Sequence, residues 1–211
     1  MVLRSMAKKK RKSKQKFYSK GRVKRGPAPF ATLRRTTYRK ALPELRRDFK
    51  DRCAYCMRHI GTETEMQVDH FDPRKKNDKI QVYANLFLSD AHCNDAKKNM
   101  WPTDEDQRLG CRFLNCCDEQ DYGESIFEDP KTHELVGTTP AAIYHINAID
   151  LNDPELIDAR KRRSVIFARL GALQQKLKDD PEVKHIVDQL RGDLECLIPD
   201  IPAPPCYWAI I

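Results

Sequence analysis

An acid, a histidine and two asparagines follow one another within thirty residues of this chain. Asp69 and His70 end a short strand-like run, Asn85 opens a second apolar run, and Asn94 lies near the start of a polar helix. Carboxylate and amide oxygens suit a hard divalent ion such as Mg²⁺ or Mn²⁺, and we expect Asp69 and Asn94 to bind one. Strand neighbours point to opposite faces, so His70 is expected to act as a general base rather than a ligand.

Three cysteines surround this constellation with the spacing of a zinc site. Cys53 and Cys56 are two residues apart, which lets two thiolates bind one tetrahedral ion from a tight turn, and Cys93 follows about forty residues later. The usual fourth position holds Asp90, whose carboxylate can also bind zinc, and His92 is the alternative. We predict a structural Zn²⁺ here; the competing interpretation is a set of free core thiols. More distant candidate donors are Cys111, Cys116 and Cys117.

The segments around these residues show a hydrophobic periodicity that predicts their secondary structure. A helix is predicted from Ala41 to Arg52, with Pro43 in its first turn. The site segment reads as turn, strand, loop, strand and helix. A hairpin is predicted from Ser125 to Val136 and a short extended run from Ile143 to Ile149.

The C-terminal part predicts two helices and an extended end. One helix starts at Asp153-Pro154 and another at Asp180-Pro181, each with a capping residue and a first-turn proline. Their apolar stripes and short link predict an antiparallel hairpin that braces the domain. The Pro-rich segment 199–211 is expected to be extended and to dock on the domain or on a partner.

Positive charge is concentrated at the N-terminus. Residues 1–52 contain 20 Lys and Arg against 3 acids, whereas the remaining residues contain 19 against 28, which together give the net charge of +8. A polyanionic partner is the natural inference. The densest run, which we expect to be disordered when free, serves either phosphate binding or targeting; it comprises Lys8, Lys9, Lys10, Arg11 and Lys12.

Composition also limits the class of protein. No apolar run approaches the roughly 20 residues needed to cross a bilayer. The basic N-terminus lacks the apolar stretch of a secretion signal, so we expect a soluble, cytoplasmic protein whose eight cysteines serve metal binding or packing rather than disulfides.

The order Asp-His, Asn-Leu and Cys-Asn-x-x-Lys resembles the HNH endonuclease family, whose site is a ββα-metal finger. This resemblance covers Cys53 to Lys98. Looser similarities, such as Ile149-Asp150-Leu151-Asn152, point to HNH proteins of the retron-associated and Septu-type bacterial defence systems.

The resemblance implies a metal-dependent nuclease with an α+β fold. It implies that Asn85 braces the loop that carries His70, and that Lys97 or Lys98 neutralises a substrate phosphate. It further implies DNA as substrate and an ATPase partner in an anti-phage assembly, without a membrane component. Two other interpretations stay open: an inactive nucleic-acid-binding zinc module, and an RNA-processing factor.

These observations predict four segments. Residues 1–40 form a basic, disordered arm, residues 41–150 the HNH nuclease domain, residues 151–198 the helical hairpin and residues 199–211 the apolar tail.

Overall fold

The computed structural model describes residues 15–16, 23–29, 33–59, 65–117, 125–176 and 185. Within them the chain has the predicted α+β character, with helices packed on three small antiparallel sheets. The strands are β1 (Gln15–Lys16), β2 (Leu33–Arg34), β3 (Met66–His70), β4 (Ile80–Gln81), β5 (Leu86–Asp90), β6 (Ile126–Glu128) and β7 (Leu135–Gly137). The helices are α1 (Leu42–Asp48), α2 (Ala91–Lys97), α3 (Asp104–Arg108), α4 (Pro140–Ala148) and α5 (Pro154–Lys176).

The strand pair β3–β5 and helix α2 position the residues of interest. The two strands are antiparallel, with Met66 opposite Asp90 and His70 opposite Leu86. Strand β5 is buried along its whole length, which anchors the pair in the core. Asp90 then caps α2, because its side chain accepts a 2.7 Å hydrogen bond from the Cys93 amide. Strand and helix therefore follow each other without an intervening loop.

Helix α1 is shorter than the predicted Ala41–Arg52. It runs from Leu42 to Asp48, with Pro43 in the first turn as expected. Lys50 and Asp51 adopt φ values of 53° and 55°, so the left-handed backbone ends the helix before Arg52. The predicted helical spacing is nevertheless realised, since Leu45 and Phe49 are both buried in the core.

The predicted extended run from Ile143 to Ile149 is wrong. This segment lies in α4, which begins at Pro140 after Thr139, whose side chain accepts a hydrogen bond from the Ala142 amide. A capping threonine followed by a first-turn proline is a helix-start signal that outweighs the β-branched residues which follow. Packing also favours the helix, because His145 and Ile146 are buried.

The hairpin predicted from Ser125 to Val136 is present as β6 and β7, which pair antiparallel. Strand β1 adds to the other edge of β6. Gly137 ends the hairpin where α4 passes closest, and a Cβ at this position would lie 2.6 Å from the backbone nitrogen of Ile143. Only glycine allows this approach without displacing backbone.

Part of the predicted N-terminal arm belongs to the fold. Leu33 is buried and its strand, β2, pairs with β4, although β2 lies before the predicted end of the arm at residue 40. Arg25 donates to the carbonyls of Tyr83 and Leu86 at 2.8 and 2.7 Å, and its guanidinium lies 4.5 Å from the Tyr83 ring. Arg25 is therefore a structural residue rather than a mobile phosphate contact. The run Lys8 to Lys12 lies outside the described residues.

The C-terminal helix begins where the sequence predicts. Helix α5 starts at Pro154, and the Asp153 side chain accepts a hydrogen bond from the Glu155 amide. Leu156 and Arg160 are buried, whereas Ile166, from the predicted apolar stripe, is 38% exposed. The second helix predicted from Asp180 and the tail 199–211 lie outside the described residues. None of the described helices is long and apolar enough to cross a membrane.

Candidate functional site

Strand β3 places Asp69 and His70 in different surroundings. Asp69 contacts Tyr55 and Lys97, whereas His70 contacts Gln81 and Tyr38. This follows from the alternation of side chains along an extended strand. Both residues are 4% exposed, so each has its position set by neighbours rather than by solvent.

Asp69 is held by two buried partners. The Tyr55 hydroxyl donates to its Oδ2 at 2.5 Å, and the Lys97 ammonium lies 2.9 Å from the same oxygen. Burial raises the pKa of Asp69, although the Lys97 charge and the Tyr55 hydrogen bond act in the opposite direction.

Lys97 is fully buried and has a structural role in the site. Besides pairing with Asp69, it donates to the backbone carbonyl of His70 at 2.8 Å. One ammonium thus holds two consecutive residues of β3. The expectation that Lys97 contacts a substrate phosphate does not fit this position, since its side chain is 0% exposed. Lys98, the alternative, is exposed and lines the cleft described below.

The His70 ring is oriented from two sides. Its Nε2 lies 2.7 Å from Oε1 of Gln81, and the Tyr38 ring meets it edge-on with centroids 4.6 Å apart. Burial lowers the pKa of His70, while the Gln81 hydrogen bond and the Asp69 charge oppose that shift. A lowered pKa favours the neutral ring, which is the state a general base requires.

Asn85 fastens the loop that follows His70. Its Oδ1 accepts from the Asp72 amide at 2.8 Å, its Nδ2 donates to the Asp72 carbonyl at 3.1 Å, and its backbone carbonyl accepts from Phe71. Asp72 in turn pairs with Arg74. The start of β5 is thus tied to the end of β3, so that His70 cannot shift independently of the sheet.

Asn94 on α2 faces Gln67 on β3. Its Nδ2 donates to Oε1 of Gln67 at 2.6 Å, which leaves the amide oxygen as the available acceptor. Asp69, His70 and Asn94 line one cleft of about 610 Å³. The cationic and amide side chains of its lining are Arg39, Gln67, Lys76, Lys98 and Asn99.

The cysteine cluster combines the turn at Cys53 and Cys56 with Asp90, the last residue of β5, and Cys93 of α2. Cys53, Cys56, Cys93 and Asp90 are buried, and their ligand atoms lie within 4.8 Å of one another. Asp90 Oδ2 contacts the Cys56 sulfur at 2.8 Å and Arg58 Nε at 3.1 Å. Burial would raise the pKa of Cys53, but hydrogen bonds from the other two sulfurs lower it well below its usual value. Three sulfurs and a carboxylate so placed could bind a metal ion.

The other candidate donors do not join this cluster. His92 instead lies with Asp150 and Asp153, and its Nε2 is buried without a hydrogen-bond partner among the described residues. Cys111, Cys116 and Cys117 are free thiols outside the cluster. Geometry therefore selects Asp90 over His92 as the fourth candidate ligand.

Sequence reasoning missed four residues that hold the site together. Tyr55, Gln67 and Gln81 contact Asp69, Asn94 and His70, and Arg58 contacts Asp90. Tyr55 stands between the paired cysteines, and this position is a weak sequence signal. Gln67 shares strand parity with Asp69, but Gln81 and Arg58 carry no local pattern.

Comparisons with known proteins bear on one part of the chain. Residues 53–100 match the family model described as HNH endonuclease. Neither the curated proteins nor the solved structures gave a match. The matched range contains the cysteine cluster and all three cleft residues Asp69, His70 and Asn94. Residues 53–100, less than half of the chain, are thus similar to the HNH endonuclease family.

Proposed function

We propose that the protein is a metal-dependent HNH endonuclease that hydrolyses phosphodiester bonds. The observation that carries this proposal is the position of Asp69, His70 and Asn94 on one cleft within the segment that matches the HNH family. Strands β3 and β5 with helix α2 would form its ββα-metal core.

The donor set of the cleft fits a hard divalent ion. Both described contacts of Asp69 fall on Oδ2, so Oδ1 is our candidate ligand. The Asn94 amide oxygen is the second, because Gln67 holds the amide nitrogen. Oxygen ligands of this kind suit Mg²⁺ or Mn²⁺. When bound, such an ion would act as a Lewis acid that stabilises charge on the phosphate and leaving oxygens.

The protein's own groups would supply the remaining steps. His70 accepts a proton from the water that attacks phosphorus, a role suited to its neutral ring. Lys97 keeps both Asp69 and the His70 backbone in place. Arg39, Lys76 and Lys98 line the cleft and would bind substrate phosphates without reading the bases.

The cysteine cluster would hold a structural zinc ion on Cys53, Cys56, Cys93 and Asp90. Four anionic ligands around Zn²⁺ leave a net charge of −2. The Arg58 side chain is 10% exposed and contacts both Asp90 and Glu155, so its charge offsets part of that excess. Cys93 and Asn94 are neighbours in α2, so a zinc ion bound by the cluster would also stabilise the position of Asn94 in the cleft.

The biological setting rests on the resemblance alone. We infer that the substrate is DNA and that the protein works with an ATPase partner in a cytoplasmic bacterial anti-phage system. The arm at residues 8–12 would add phosphate contacts, and the helix predicted from Asp180 would complete a hairpin with α5.

The direct test is cleavage of plasmid DNA and of structured RNA with Mg²⁺ or Mn²⁺. His70→Ala should lower the rate on the order of 10²–10⁴-fold without changing the melting curve. His59→Ala is the matched control, because His59 does not line the cleft. Cleavage of RNA alone would favour the processing factor. Binding without cleavage, under any divalent ion, would leave the inactive zinc module.

A further inference from the structure

The side-chain amide of Gln81 has its orientation decided by the backbone around it. Gln81 is 5% exposed, and its Nε2 lies 2.6 Å from the carbonyl oxygen of Asp78. The carbonyls of Lys75 and Lys76 lie at 3.5 and 3.4 Å from the same nitrogen. Turning the amide over would place its oxygen against three carbonyl oxygens. The nitrogen therefore faces the loop and the oxygen faces His70.

A fixed acceptor beside a histidine determines which ring nitrogen carries the proton. Oε1 of Gln81 lies 2.7 Å from Nε2 of His70, and an amide oxygen can only accept. We propose that Gln81 is a positioning residue that holds His70 in the tautomer protonated at Nε2, so that Nδ1 is the atom that takes the proton from water. The assignment of Nδ1 as the reacting atom rests on the proposed nuclease function, whereas the tautomer does not.

The chemical nature of this partner matters. A carboxylate at this position would also orient the ring, but it would stabilise the imidazolium and raise the pKa of His70. A neutral amide gives orientation without adding a charge.

The position of Gln81 depends on a part of the fold outside β3 and β5. Gln81 lies on β4, opposite Leu33 of β2. Leu33 is buried, so the pair is anchored to the core. The N-terminal segment that carries Leu33 thereby contributes to the orientation of His70 from outside the range that matches the HNH family.

The test uses two variants of the full chain. Gln81→Met keeps the length of the side chain and removes both the acceptor and the donor, whereas Gln81→Asn keeps the amide but shortens the side chain by one methylene. Long-range ¹H–¹⁵N NMR spectra of ¹⁵N-histidine protein report the tautomer of each ring, and the missing signals of His70→Ala assign His70. We expect Nε2–H in the wild type and a mixture of tautomers in Gln81→Met. Gln81→Asn should show the same mixture, because the shorter amide cannot reach His70 and the loop carbonyls at once.

Activity gives an independent readout. Gln81→Met should lower cleavage roughly 10- to 100-fold, as loss of an outer-shell partner does for metal-bound histidines. A residue that merely fills space would change the melting curve but not the tautomer.

Two results would overturn the proposal: Nδ1–H in the wild type, or an unchanged tautomer in Gln81→Met. If Gln81→Met does not fold, Gln81→Asn decides, and an unchanged Nε2–H tautomer in that variant rejects the contact. Failure of the nuclease function is distinguishable: the wild type would not cleave, or His70→Ala would cleave as fast as the wild type, while the wild-type NMR spectrum still showed Nε2–H.

Discussion

The cysteine cluster and the Asp69 cleft use the same strand and helix in opposite ways. All four candidate ligands of the cluster are buried and face one another. The cleft presents Asp69, His70 and Asn94 to a volume of about 610 Å³ beside exposed cations. A closed set of donors suits a structural ion, and an open set leaves room for substrate and water. Enclosure, rather than ligand type alone, separates the proposed structural site from the proposed catalytic site.

Two short segments join the regions. Tyr55 stands between Cys53 and Cys56 and donates to Asp69 at 2.5 Å. Helix α2 contributes Cys93 to the cluster and Lys97 to the contact with Asp69. Because both segments serve both regions, disturbance of the closed site should reach the open one, while the reverse effect should be weaker.

The largest expected effect comes from removing one ligand of the enclosed cysteine cluster. Cys56→Ser should lose the roughly one bound zinc that we expect in protein purified without added metal, and should unfold under conditions where the wild type is stable. Elemental analysis and thermal melting measure both. Cys111→Ser, a half-buried thiol outside the cluster, is the control. A zinc-free wild type with a normal melting curve would leave the cysteines as core thiols.

The next effect concerns the buried ion pair of the cleft. Lys97→Met leaves Asp69 buried without its cation, which should lower the free energy of unfolding by about 3–5 kcal/mol. Cleavage should fall as well, because Lys97 also holds the His70 carbonyl. Urea denaturation gives the stability, and Lys98→Met, on the exposed neighbour, should change it by less than about 0.5 kcal/mol. Equal stability of the two variants would contradict the role given to Lys97.

A smaller effect should appear with pH in the core shared by the two regions. His145 packs 5.9 Å from Tyr55, and its Nδ1 accepts from the Leu114 amide. Burial lowers its pKa to about 3. Below pH 6.5 the unfolded chain binds a proton that the folded protein excludes, so stability falls as the pH falls from 6.5 toward 3.

At pH 5 this single histidine should cost about 2 kcal/mol, at 1.36 kcal/mol for each pKa unit. His145→Gln keeps an acceptor for Leu114 without the titration, so the difference between wild type and variant isolates His145. If the free energies of unfolding of the wild type and His145→Gln change in parallel between pH 5 and 7, His145 does not contribute to the pH dependence of stability.

The smallest effect on the fold should come from the arm. Residues 1–14 carry seven Lys and Arg and no acid, and their removal spares both β1 and Arg25. Each lost phosphate contact should flatten the slope of log affinity against log salt by about 0.9. Fluorescence anisotropy at several salt concentrations measures this. Cleavage at saturating enzyme should be unchanged, and an equal slope in both proteins would assign binding to the cleft cations alone.

Much of the local structure could be predicted from the sequence. Proline and capping residues predicted the starts of α1 and α5, and the spacing of the cysteines predicted a cluster that the structure brings together. The same rules applied to Thr139-Pro140 would have predicted α4 in place of the extended run. Chemical roles for Asp69, His70 and Asn94 were predicted from order and spacing, and they stay predictions.

By itself the sequence determined residue types, local caps and the order of candidate ligands, because these depend on neighbours a few positions away. The tertiary structure decided which polar groups are buried and with whom. A lysine at the end of a polar helix is normally solvated, yet Lys97 is buried, with its ammonium against Asp69 and the His70 carbonyl of β3 and 5.5 Å from the centroid of the Phe113 ring. Gln81 has no motif and acquires its contact with His70 only when β4 pairs with β2. Such contacts depend on how distant segments fill space, and no local pattern encodes that arrangement.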